Sequence, residues 1–319
     1  MKISSQDHRW AIVLAGGEGE RMRRVVRSWI GEHRPKQYCA FTGKKSMLEH
    51  TLRRAGHLVA PERVVTVIGQ GHRAYMNSAL TGSFPGRLIE QPANRGTLPG
   101  ILLPLSYILS RDPAATVLIF PSDHFVYPLE PFLDRVAAMA ACADRAASPF
   151  ILLGAVPDRP EPEYGWIEPA DRIEGFDGFR KIARFYEKPA AESARAFFMS
   201  KFLWNTMIMA ARARSLWDVA AGFYPDLARR FEALRAAMGT PMESSALEVV
   251  YHGMPSVDFS HGIVEKAVDR EAVAALEDVA WSDWGQPSRI VDTLTRIGRR
   301  PVFPYPEILS PVTAGSARR

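Results

Sequence analysis

The sequence predicts an α/β chain whose central sheet is mostly parallel (mixed) and covered by helices on both faces. Three observations predict it. Short, nearly all-apolar runs recur through the first half of the chain, as strands buried on both faces require. Helix-length stretches separate them, and strand–helix–strand alternation leads to a parallel sheet with its helices on the faces. The 319 residues, 47% hydrophobic and 24% charged, suffice for one large core.

The elements follow in order. The apolar runs WAIVLA (10–15), RVVTVIG (63–69), RLIE (87–90), TVLIF (116–120) and FILLGAV (150–156) read as strands. The stretches 46–58, 71–80, 98–109 and 129–144 between them read as helices. Later, 164–168 and 181–189 read as strands, and 191–200, 214–221, 225–237 and 243–252 as helices. A helix over 287–298 precedes a tail, rich in Arg and Pro, that is expected to run extended and then fray. There is no internal repeat and no evident linker, so residues 1–286 are expected to form one catalytic domain and 287–319 a short helical extension and tail. That tail would pack on the domain or form a homodimer contact.

Composition excludes some classes. No apolar run approaches the roughly 18 residues of a membrane span, so no membrane partner is expected. The start, MKISSQDHRW, lacks the apolar core of a secretion signal. Cys39 and Cys142 read as reduced thiols of a cytoplasmic protein and cannot by themselves make a metal site. The net charge of +5 suits phosphorylated small molecules as well as nucleic acid and decides little.

The chemistry begins at Leu14-Ala15-Gly16-Gly17-Glu18-Gly19-Glu20-Arg21, directly after the first strand. Glycines let backbone N–H groups approach a phosphate closely. Two familiar phosphate motifs fail here. A dinucleotide fingerprint would need glycine where Met22 stands, and the Walker pattern is broken at Tyr38 and Lys45. A plain βα turn would also use glycines. The adjoining basic stretch favours phosphate: Arg21, Arg23, Arg24, Arg27, Arg34 and Lys36 are six cations in sixteen positions, with Glu32 the only acid among them. Such a run suits a triphosphate and a leaving pyrophosphate, although some of these arginines would belong to a solvated surface. Arg21 and Lys36 are the candidates for function.

LAGGEGERM followed by RPKQY resembles the signature of the sugar-1-phosphate nucleotidyltransferases, and is most similar to the mannose-1-phosphate guanylyltransferase branch, LAGGxGTRLWPLS…PKQF. Further segments follow in family order. Gln91-Pro92-Ala93-Asn94-Arg95-Gly96-Thr97 resembles EPxxRNTAPA beside the base, and Pro121-Ser122-Asp123-His124 resembles P-A-D-H at a strand's carboxyl end. Tyr164–Glu168 resembles GYGYI, Phe185–Pro189 the F-x-E-K-P motif, and Trp204-Asn205-Thr206 the W-N-S-G motif. Val257-Asp258-Phe259 with Val264-Glu265-Lys266 resembles S-I-D-Y-A-V-M-E-K, and Trp281–Gly285 resembles W-S-D-V-G.

The resemblance implies a Rossmann-like nucleotidyltransferase fold. It also implies a reaction in which a nucleoside triphosphate and a sugar 1-phosphate give a nucleotide-sugar and pyrophosphate, here GTP and mannose 1-phosphate to GDP-mannose, with no nucleic acid involved. By position, Leu14, Ala15, Gly16, Gly17 and Gly19 would cradle the nucleotide, joined by Gln91, Arg95, Thr97 and Ser122. Arg21, Lys36 and Lys188 would be catalytic. Gly165, Glu187, Asn205 and Asp258 would bind the sugar, and Asp123 and Asp283 would hold Mg²⁺. His124 would serve as packing support or as a ligand.

The sequence also departs from the pattern. Glu20 replaces threonine and sets a carboxylate near a triphosphate; the stretch Met22–Arg34 is long; Gly96 replaces asparagine. Thr206-Met207 replaces Ser-Gly, and His261-Gly262 interrupts the D-Y-A-V-M-E-K block. These changes fall mainly on the base and sugar sides. Another base or sugar therefore stays open, as does a non-catalytic nucleotide-binding protein on the same scaffold.

Overall fold

The computed structural model describes residues 8–82, 84–145 and 150–304. β1 (Arg9–Ala15), β2 (Val64–Ile68), β3 (Arg87–Glu90) and β4 (Thr116–Pro121) lie where the apolar runs predict them. They pair in parallel, with Ala11 opposite Val64 and Arg9 opposite Thr116. The other main-sheet strands are β6 (Phe150–Ala155), β7 (Gly165–Arg172), β8 (Phe179–Glu187), β9 (Leu203–Arg212) and β10 (Glu271–Leu276). The nine-stranded order is β3-β2-β1-β4-β9-β6-β10-β8-β7. Two short strands, β5 (Phe125–Tyr127) and β11 (Ala280–Ser282), pair separately in antiparallel fashion.

β9 is the main element that pattern reading leaves out. It lies between β4 and β6, antiparallel to both, in the middle of the sheet. Its sequence LWNTMIMAAR is rich in Met and Ala, which carry little strand preference, so the extended form rests on its neighbours rather than on local propensity. β10, EAVAAL, escapes notice for the same reason.

The helices sort onto the two faces. α4 (Thr97–Arg111), α7 (Ala213–Phe223), α8 (Pro225–Ala237) and α9 (Glu243–Tyr251) pack with Ile12 of β1 in one core. α2 (Met47–Gly56), α3 (Arg73–Ala79), α5 (Leu129–Ala143) and α6 (Ala191–Met199) pack with Ala11 and Val13 in the other. The period-two alternation of strand side chains sends successive β1 residues to opposite cores. α2 starts in a capping arrangement, with Ser46 Oγ accepting from the Glu49 N–H at 3.1 Å.

A third apolar cluster corrects the picture of the basic stretch. Arg23–Ile30 is a helix, α1, that buries Val25 and Val26 and exposes Arg23, Arg24 and Arg27. It packs with Phe41, Trp284 and with Ile290 and Leu294 of α10 (Pro287–Arg296). Three of the six cations are thus the solvent face of an amphipathic helix. After α10 the chain returns, with Val302 N–H bonded to the Phe41 carbonyl at 3.1 Å and Phe303 buried beside Phe41. The rest of the expected tail, 305–319, lies outside the described residues. Among the described residues no helix is long and apolar enough to cross a membrane.

Candidate active site

The site lies at the carboxyl ends of β1 and β4, where open α/β sheets place their ligands. After Ala15 the chain turns through the glycine loop, and the Ser122 N–H bonds to the Leu14 carbonyl at 3.0 Å, tying the loop to the end of β4. Gln37 explains part of the PKQY motif. Its side-chain amide donates to the carbonyls of Ala15 (3.0 Å) and Gly17 (2.7 Å) and sets the loop's shape. The Tyr38 hydroxyl also reaches the Ala15 carbonyl, at 3.2 Å. Gly19 has φ 65°, and a Cβ there would lie 2.8 Å from the Lys36 backbone nitrogen. Only glycine lets the loop and Lys36 approach this closely.

Two adjoining cavities of about 360 and 350 Å³ share Asn94 and Asp123. The first is bounded by Leu14, Gly16, Gly17, Gln91, Thr97, Ser122 and Asp258. The second is bounded by Gly19, Arg21, Lys36 and Gly285. Their size suits a small-molecule ligand.

Lys36 is buried, with its ammonium 2.8 Å from Asp123 Oδ2, and it donates to the Asp283 carbonyl. Asp283 is the most heavily engaged carboxylate of the site. Oδ1 accepts from the Tyr164 hydroxyl (2.7 Å), the Gly285 N–H (2.9 Å) and Arg289 (2.9 Å), and Oδ2 accepts from Arg21 (3.0 Å). Burial alone would raise the Asp283 carboxyl. Lys36, Arg289, the Gly285 N–H and Tyr164 overcome that and hold it well below the usual range. Asp123 behaves alike: burial pushes it up, and Lys36 and His124 pull it down further. His124 is driven down to about 4, chiefly by burial, so it is neutral at pH 7; its ring meets Trp281 edge-on at 5.2 Å.

These shifts make a prediction. Asp123 and Asp283 bind fewer protons folded than unfolded. Their contribution is fully present above the ordinary carboxylate pKa, roughly 4, and is lost as pH falls through the lower folded values. Glu187 acts with the opposite sign: burial raises its carboxyl despite Lys188, so its contribution is lost as pH rises through its raised value. Urea midpoints followed from pH 7 to pH 3 should fall steeply below about pH 4, and Asp283→Asn should flatten that fall. A wild-type midpoint unchanged over this interval would contradict the assignment.

The other candidates sit as follows. Gln91 is buried, with Oε1 accepting from Tyr251 at 3.2 Å. Thr97 donates to Asp258 at 3.0 Å and accepts from the Phe259 N–H, joining base and sugar candidates. Gly165 pairs with Glu187 across β7 and β8, and a Cβ at Gly165 would lie 2.8 Å from Glu187 Oε2. Lys188, with φ 45°, is mostly exposed and lies 3.3 Å from Glu187. The Ala15 side chain lies in the core, and Arg95 bounds neither cavity. The Glu20 carboxylate is bound by Arg23, so it carries its own counter-charge beside the cleft.

Nothing in the sequence alone gives a role to Gln37, Tyr164 or Arg289. Arg289 is the most consequential: it is buried, bridges Asp283, Glu161 (3.0 Å) and Glu163 (2.6 Å), and lies 4.6 Å from the centre of the Tyr164 ring. Its one sequence signal is position. It precedes Ile290 on the α10 stripe that also carries Thr293 and Leu294, a face that amphipathic spacing buries.

The donor set suits a hard divalent cation in type. Mg²⁺ takes one or two protein carboxylates and fills its shell with water and substrate phosphates. Asp123 faces both cavities with one oxygen bound to Lys36. Asp283 is already engaged by four donors, of which Arg21 is the most exposed.

Residues 10–299 match the nucleotidyl transferase family. The chain belongs to that family. This nucleotidyl transferase is 27% identical over 296 residues to a mannose-1-phosphate guanylyltransferase of Escherichia coli, covering 90% of this chain and 60% of that protein. It is 28% identical over 287 residues to one of Klebsiella pneumoniae, covering 88% and 58%. The chain thus spans about 60% of the length of the curated relatives it matches. A solved structure described as a mannose-1-phosphate geranyltransferase from Thermus thermophilus superposes with a TM-score of 0.77 at 29% identity, covering 90% of this chain and 79% of that one. The Rossmann-like nucleotidyltransferase fold is therefore that of the family.

Proposed function

We propose that the chain joins a sugar 1-phosphate to a nucleoside triphosphate, releasing pyrophosphate, and that the pair is GTP and mannose 1-phosphate. One observation carries the reaction class: a buried lysine held between the Asp123 carboxylate and the Asp283 backbone carbonyl and walled by a glycine loop, all at the carboxyl edge of parallel strands. The names of the relatives support the choice of guanine and mannose. The two cysteines, buried and unpaired, suit a cytoplasmic enzyme.

In this reading a sugar phosphate oxygen, already anionic, attacks the α-phosphorus. The new P–O bond forms as the bond to the β-phosphate oxygen breaks, and pyrophosphate leaves with the electron pair. No general base is needed, so catalysis is positioning and charge neutralisation. The N–H groups of the glycine loop take the nucleotide phosphates, and Gln91 and Thr97 lie on the base side. Lys36 neutralises the α-phosphate, and Arg21, half-exposed on Asp283, turns to the departing pyrophosphate. Lys188 reaches the sugar phosphate from its exposed position beside Glu187. Asp123 and Asp283 would hold Mg²⁺, which supplies positive charge to the reacting phosphates.

Pyrophosphate release, assayed over a panel of nucleoside triphosphates and sugar 1-phosphates, tests the reading; GTP with mannose 1-phosphate should give the highest kcat/KM. Arg21→Ala should lower kcat on the order of 10²-fold with little change in stability, because Arg21 is half solvated. Nucleotide binding without turnover on any sugar phosphate would refute the enzymatic reading.

A further inference from the structure

Two departures from the family pattern lie close together. Met207 stands where the W-N-S-G motif has its glycine, and it keeps a glycine-like backbone, with φ 56°. Non-glycine residues rarely hold this conformation unless the surroundings impose it, and such residues cluster at functional sites. Here the surroundings are visible. Between the pairs Leu152–Met209 and Gly154–Asn205, β9 carries two residues more than β6. Thr206 secures the bulge, donating to the Leu153 carbonyl at 2.7 Å and accepting from the Ile208 N–H at 3.2 Å. A bulge of this kind re-aims a side chain, and Met207 lines the cleft together with Asp123 and Asp258.

The second departure is His261-Gly262. Both residues lie in a π-helical turn, Ser260–Val264, the way a helix absorbs inserted residues. The first residue of that turn touches Met207: Ser260 Oγ lies 3.3 Å from its sulfur. Met207 also occupies the sugar candidate Asn205. Its N–H donates to Asn205 Oδ1 at 3.0 Å, and Asn205 Nδ2 lies 3.4 Å from its sulfur. A thioether held between Asn205 and Ser260 therefore fills the space that glycine would leave open, and it meets the amide nitrogen of Asn205 while the Met207 backbone N–H holds the amide oxygen.

We propose that Met207 is the specificity-determining residue of the sugar subsite, narrowing it so that sugar 1-phosphates with bulky ring substituents are rejected. The proposal rests on the sugar 1-phosphate reading of the site. An apolar pocket wall discriminates by size, and one or a few carbon atoms change affinity by about 10- to 200-fold.

The test is calorimetric binding of mannose 1-phosphate and of N-acetylglucosamine, N-acetylmannosamine and heptose 1-phosphates, in the presence of a non-hydrolysable GTP analogue and Mg²⁺. Met207→Gly should raise the affinity of at least one bulky sugar phosphate relative to mannose 1-phosphate by about 10-fold or more, each measured at saturating analogue. Met207→Leu should keep the wild-type ratio. Met207→Asn, a shorter residue that tolerates positive φ, should shift the ratio in the same direction and guards against a glycine variant that fails to fold. Ratios within about twofold of wild type in both shortened variants would overturn the proposal while leaving the reaction intact. A wild-type chain that binds the analogue but none of the sugar phosphates would overturn both.

Discussion

Lys36→Ala should lower kcat on the order of 10³-fold, the largest catalytic loss of any single change at this site. The residue is almost fully buried, and it links Asp123 to the Asp283 backbone. Its charge is fixed in place before a ligand arrives, so it costs no reorganisation as negative charge builds on the α-phosphate. Arg21, by contrast, is half-exposed and shared with Asp283 and Glu163, which is why a smaller effect is expected there. Lys36→Arg should restore little. The guanidinium is larger and planar, and the Gly19 backbone packs against Lys36 closely enough that a single Cβ would clash. Pyrophosphate release under saturating substrates measures the effect, and a thermal melt separates it from unfolding. A variant that folds and keeps more than about a tenth of wild-type kcat would show that Lys36 is structural.

Arg289→Ala should cost about 3–5 kcal/mol of stability, the largest loss expected from a single side chain near the site. Its guanidinium binds Asp283, Glu161 and Glu163 and stacks on Tyr164. Truncation leaves the buried Asp283 and the partly buried Glu161 with one cation fewer, and uncompensated buried charge is more costly than the lost attraction. Glu163 is more exposed and can be rehydrated, which favours the lower end of that range. Arg289→Lys should recover only part, because one ammonium cannot serve three carboxylates in a plane. Urea unfolding followed by tryptophan fluorescence gives the number, and a loss below about 1 kcal/mol would show that the network is solvated rather than structural.

Much of this protein was legible in its sequence. Four parallel strands stood out as apolar runs because two-sided burial removes polar residues from them. The motifs around Gly16, Lys36, Asp123 and Asp283 were recognisable in order, since each is a short string whose residue types are constrained by local turns. Other features were not legible. β9 could not be read because Met and Ala become strand through their neighbours. α1 was hidden because a dense run of arginines looks like a phosphate site until a helix turns three of them to solvent. The role of Arg289 was hidden because its three acidic partners are remote in sequence or lie in the turn before α10.

By itself, then, the sequence determined the family, the parallel half of the sheet and the identity of the charged residues. Which charges face one another was decided only in three dimensions. Lys36 and Asp283 are 247 positions apart and touch only because β1, β4 and the turn after β11 converge at one sheet edge. Met207 projects into the cleft only because a bulge in β9 holds it at positive φ. Local propensity acts over a few residues, whereas electrostatic pairing and cavity shape depend on distances that chain topology alone brings into range.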